Sequence, residues 1–118
     1  MYIIIESIYT IERPVQAILI LDKHQSALSQ SLSDPVTVAR ALYEEQVITG
    51  EVLTSVESTG LSVPERRRNL STAVREAIKT NYRSLETFAT VLCKFGGNIQ
   101  LGEDIHSDYG ESEYLYMM

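Results

Sequence analysis

From residue 14 onward, apolar residues return at steps of three and four, and the residues between them are those that start and stop helices. That recurrence lines one face of an α-helix and cannot serve a strand, whose side chains alternate between faces. The clearest run is Leu70, Ala73, Val74, Ala77, Ile78 and Tyr82, an unbroken stripe with Arg66, Arg67, Arg68, Arg75 and Lys79 mostly off it. Before it stands Ser62-Val63-Pro64-Glu65, a capping box in which each side chain satisfies the other residue's exposed backbone donor. The chain reads as all-α.

The same pattern predicts five further helices. The first carries Val15, Ile18, Leu19, Leu28 and Leu32 inward and runs to about Leu32. Asp34-Pro35 caps and opens a second, reaching about Gln46, with Val38, Ala39, Leu42 and Tyr43 inward. Thr49 caps a short third that holds Glu51 in its first turn, where the helix dipole favours an anion, and Val52, Leu53 and Val56 on its inner side. Gly60 closes that helix, and the capping box opens the fourth. Ser84 caps a fifth with Leu85, Phe88, Ala89, Leu92 and Phe95, stopped by Gly96-Gly97, and Leu101, Ile105 and Tyr109 mark a short sixth. Residues 1–13 form an apolar N-terminal extension: their Ile and Tyr content favours a strand, yet Ile4, Ile8, Ile11, Val15 and Ile18 keep a helical phase, so we read them as the first part of helix one, kinked at Pro14. Residues 14–109 are the domain, and residues 110–118 a flexible tail.

A chain of 118 residues buries roughly two-thirds of its unfolded surface around one core. Its net charge of −6 argues against general affinity for nucleic acid or anionic membrane, which require surplus Lys and Arg. Glu6, Glu12, Arg13 and Pro14 interrupt the greasy start, so it reads neither as a secretion signal nor as a membrane span. The lone Cys93 fits a reducing compartment, and we expect a cytoplasmic protein.

Catalytic chemistry finds little to use. His24 and His106 lie far apart, no glycine-rich phosphate loop is present, and no His, Cys, Asp or Glu cluster has metal-ligand spacing. Asp104 and Asp108 with His106 are better explained as solvated helix-surface groups than as a cation site. Glu44 and Glu45, as adjacent helical residues, point about 100° apart and do not make an acid–base pair. Cys93 reads as a small, partly buried thiol. The expectation is a non-enzymatic protein with no catalytic residues, cofactor or metal.

The stretches "EEQVITGEVLTSVES", "ERRRNLSTAVREAI" and "SLETFATVLCKFGGN" together resemble the caspase recruitment domain, a member of the death-fold superfamily, over about residues 14 to 109. An acidic second helix, a Val-Ile-Thr turn, an Arg-led fourth helix and a Phe/Leu-patterned fifth carry the resemblance. It implies a six-helix antiparallel Greek-key bundle acting in apoptotic or innate-immune signalling, binding other death-fold domains or itself. It also implies a basic face, here Arg13, Lys23, Arg66, Arg67, Arg68, Arg75 and Lys79, meeting an acidic face, here Asp34, Glu44, Glu45, Glu51 and Glu57. Death and death effector domains share much of this pattern. Two readings of other kinds stand beside it: a helical nucleic-acid-binding or regulatory module built on Arg66–Arg68, and a phosphotyrosine adaptor, since Tyr114-Leu115-Tyr116-Met117 fits a Tyr-x-x-Met motif.

Overall fold

The computed structural model of the chain describes residues 14–117, which are helical and contain no strand. The N-terminal extension and Arg13 lie outside the described residues. Seven α-helices follow one another: α1 over residues 14–23, α2 Gln25–Ser31, α3 Pro35–Glu44, α4 Gly50–Glu57, α5 Val63–Thr80, α6 Ser84–Cys93 and α7 Ile99–Met117. A 3-10 turn, Gly96–Asn98, leads into α7. None of these helices is long and apolar enough to cross a membrane.

The first predicted helix is divided. His24 leaves helical geometry (φ −98°, ψ 4°), its N–H turning back to Leu21 O at 3.1 Å, and divides the helix there, while the segment that the expected kink at Pro14 would join lies outside the described residues. The inward phase carries on across it, since about 100° per residue keeps Ala17, Leu21, Leu28 and Leu32 within about 60° of one another. Ala17, Leu21, Leu28 and Leu32 are buried, while Val15 and Leu19 face outward, contrary to expectation. Tyr43 also points out, because α3 buries Val38, Ala39 and Leu42 on a narrower face.

The expected caps form at α3, α4 and α5. Asp34, in the left-handed region at φ 49°, accepts Thr37 N–H at 3.3 Å. Thr49 Oγ1 accepts Val52 N–H at 3.2 Å, and Ser62 and Glu65 form the reciprocal capping box. At α6 the cap is not Ser84, which is buried inside the first turn; Asn81 Oδ1 instead accepts Arg83 N–H at 3.1 Å and shapes the turn. The C-terminus of α3 closes with Gln46 at φ 62°, Val47 N–H reaching Leu42 O and Gln46 N–H reaching Tyr43 O. This is a Schellman closure, made here without glycine.

The core runs along α5 and α6: Leu70, Val74, Ile78, Leu85, Phe88 and Leu92 are essentially inaccessible and meet Leu21, Leu28, Leu42, Val56 and Ile105. α5 sits between α2 on one flank and α4 on the other, and α3 packs on both α5 and α6. α6 packs along α7. Gly102 permits it: a Cβ there would lie 2.6 Å from Cys93 Sγ and 2.7 Å from Ala89 O. The sixth predicted helix, α7, runs through this glycine. It is long, and its helical backbone continues through residues 110–117, where a tail was expected.

Candidate interaction surface

The Arg66-Arg67-Arg68 run lies in the first half of α5, whose N-terminal dipole end repels positive charge. Two of the three are drawn to the opposite ends of other helices. Arg66 donates from Nη1 to Val56 O and from Nη2 to Ser58 O at 2.9 Å, covering the carbonyls that α4 leaves unpaired at its C-terminus. Asn69 Nδ2 adds a third contact there, to Ser55 O at 3.4 Å. Arg67 donates from Nε to Leu32 O at 2.8 Å and from Nη1 to Ser29 O at 3.2 Å, doing the same for α2. Each guanidinium thus meets a negative dipole end. Arg68 alone of the three is exposed, and it forms no ion pair among the described residues.

The other predicted basic residues divide similarly. Arg75 pairs with Asp22 and ties α5 to α1. Lys79 pairs with Glu76 one turn away at 3.2 Å. Lys23 lies 3.1 Å from Asp108, whose other close partner is His24 Nε2 at 2.7 Å. Burial pushes the Asp108 carboxyl's pKa up, but hydrogen bonds from His24 and Lys23 and the charge of Lys23 outweigh it, so it lies below the ordinary value. The contact fastens α7 to the break between α1 and α2.

On the acidic side, Asp34 is occupied as a cap and Glu57 is held by Arg40, at 2.7 Å from Nη2 and 2.8 Å from Nε. Glu44, Glu45 and Glu51 are exposed at the end of α3 and the start of α4, without an ion pair among the described residues. The folded chain therefore presents Arg68 on α5 and a three-carboxylate group at the α3–α4 junction, rather than two broad charged faces. Tyr114 falls in the last turn of α7.

Between α4 and α5 runs an open groove of about 690 Å³, floored by Val47, Val52, Ala73 and Ala77, with Arg68 toward one end and Glu76 on its rim. No single sequence signal marks it, because it arises where two helices that share a core diverge on their outer side. A second feature missed in sequence is Asn98, fully buried, whose amide clamps the α2–α3 loop: Ser33 N–H donates to Oδ1 at 2.7 Å and Nδ2 donates to Ser33 O at 2.8 Å. Gly97 makes room, since a Cβ there would lie 2.7 Å from Ser33 Cβ. "GGN" in sequence reads only as a helix stop.

The groups weighed for chemistry stay apart. Asp104 accepts from Gln100 Nε2 at 2.8 Å, His106 Nε2 lies 3.2 Å from Thr90 Oγ1, and Asp108 turns to α1. Burial first, then the charge of Glu103, raises the pKa of the Cys93 thiol, which makes it a poor thiolate. No family model matches the chain, and no curated protein or solved structure matches it significantly.

Proposed function

We propose that the chain is a non-enzymatic interaction module of the caspase recruitment type, working in the cytoplasm to assemble apoptotic or innate-immune signalling complexes with other death-fold domains or with its own copies. The observation that carries this reading is the pairing of an unsatisfied cation, Arg68, with the unsatisfied Glu44, Glu45 and Glu51 on different helices of one helical domain. Opposite charges at two separate places let one copy's Arg68 meet the next copy's carboxylates. A contact of this kind does not close by symmetry and extends into an open filament. Attached effectors are then held at high effective concentration. The reading of Arg66–Arg68 as a phosphate clamp loses two of its three arginines to helix carbonyls.

The test is charge reversal at Arg68, not at Arg66 or Arg67, whose replacement would damage the fold. Arg68→Glu alone and Glu44→Lys/Glu45→Lys alone should each remove the salt-sensitive part of the concentration-dependent association seen by sedimentation velocity, and mixing the two variants should restore it, because each patch of one variant then faces opposite charge on the other. Unchanged sedimentation of Arg68→Glu would sink the pairing.

A further inference from the structure

Two apolar surfaces of the folded chain have no partner among the described residues. One is the α4–α5 groove. The other is a row on α1: Val15 and Leu19 are 54% and 60% exposed, and Lys23, next in the same row, has a side chain 66% exposed. Residues at i, i+4 and i+8 stand one above another on a helix, which is the form a helix takes when it lies in a groove. From these we infer that α1 of one copy docks its Val15–Leu19–Lys23 row into the α4–α5 groove of a second copy. The inference rests on the reading of the chain as an assembly module; its groove has Arg68 at one end, so the two contacts adjoin on α5 and differ in that this one is mainly apolar.

Fit, charge and position support the second copy as the occupant. The row from Val15 to Lys23 rises about 12 Å and the α5 wall of the groove, from Arg68 to Thr80, about 18 Å, so the row fits within it. Ala73 and Ala77, one turn apart on that wall, leave no long side chain in the way of a close helix–helix approach. Glu76 on the rim, its side chain 64% exposed, has the charge that Lys23 needs at the polar end of the row. Glu76 holds only the exposed Lys79, a pair weak enough to exchange, while Lys23, itself 66% exposed, shares the half-buried Asp108 with His24, which keeps that carboxylate paired when Lys23 leaves.

The two surfaces also lie on opposite flanks of α5. Arg75 and Ser71 reach Asp22 and Gln25 on the α1–α2 side, whereas Ala73 and Ala77 line the α4 side. A copy therefore cannot fill its own groove with its own row, and the contact propagates from copy to copy. Being mainly apolar, it should survive salt that dissolves the Arg68 contact.

The experiment is sedimentation velocity of the full chain at low and high salt, with two variants. Leu19→Glu spoils the row at an exposed position, and Ala77→Trp fills the groove; Thr72→Tyr, on the exposed rim, replaces the latter if circular dichroism shows the fold disturbed. We expect the parent to retain species larger than monomer at high salt and each variant alone to lose them. An equimolar mixture should form a 1:1 dimer that grows no further, because the intact row of the groove-blocked copy enters the intact groove of the row-blocked copy. A parent that assembles only at low salt and loses this with Arg68→Glu would overturn this contact while leaving the charge-paired module standing. A parent that stays monomeric in every condition overturns both, and variants that assemble like the parent, or a mixture that stays monomeric, overturn the docking.

Discussion

Arg67 and Arg68 are neighbours in sequence and opposites in role. Arg67 is half-buried and donates to two carbonyls on a segment 35 residues or more away, while Arg68 projects from the surface. Removing a hydrogen bond to a charged group costs about 1.5–3 kcal/mol, whereas exposed substitutions stay within about 0.5 kcal/mol. Arg67→Ala should therefore lower the urea midpoint clearly and Arg68→Ala should leave it in place, and equal midpoints would refute the assignment. In the sequence the three arginines are indistinguishable. Helical phase separates them by about 100° each, but nothing local says that the ends of α2 and α4 arrive within reach.

At the scale of elements, α7 is held to the rest of the bundle in two ways. The first is steric. Gly102→Ala would press a methyl group against Ala89 O and Cys93, and because Ala89 O and Cys93 N are backbone they cannot swing aside. Overpacking of this kind costs about 1–3 kcal/mol, so thermal unfolding should shift down by several degrees, against the usual gain from adding Ala to a helix interior. The second is the Asp108 contact with His24 and Lys23. Asp108 has a folded pKa below its unfolded one, so its contribution is fully present above about pH 4 and is lost as pH falls through the folded value. Urea midpoints at pH 7 and at pH 3 should differ less in Asp108→Asn than in the parent.

Across the whole molecule, a net charge of −6 makes copies repel at long range, so any attraction must come from local patches. An assembly held by Arg68 against Glu44, Glu45 and Glu51 should weaken as salt rises from about 0.1 M to about 1 M, where the screening length falls from about 10 Å to about 3 Å. Light scattering across that range measures it. Salt-independent scattering would mean that charge does not hold the assembly. The spacing of the two patches is itself a property of the bundle, because α3 and α4 pack directly on α5 and Arg66 and Asn69 tie α5 to the end of α4.

Helix identity and most helix starts were legible in the chain, since a cap and an apolar period are local: Asp34, Thr49 and the Ser62–Glu65 box act within three residues of themselves. The core followed from the same period wherever a helix was unbroken, as Leu70, Val74 and Ile78 show. It failed at Val15 and Leu19, which at about 100° per residue lie on the far side of the helix from Leu28 and Leu32 and were expected inside on their apolar character. Tertiary structure alone decided which arginines are spent on helix ends, that Gly102 admits α6 rather than ending α7, that Asn98 clamps Ser33, and that α4 and α5 leave a groove between them. Each of these depends on groups brought together from distant parts of the chain, and periodicity carries the direction of a side chain without naming what it will meet.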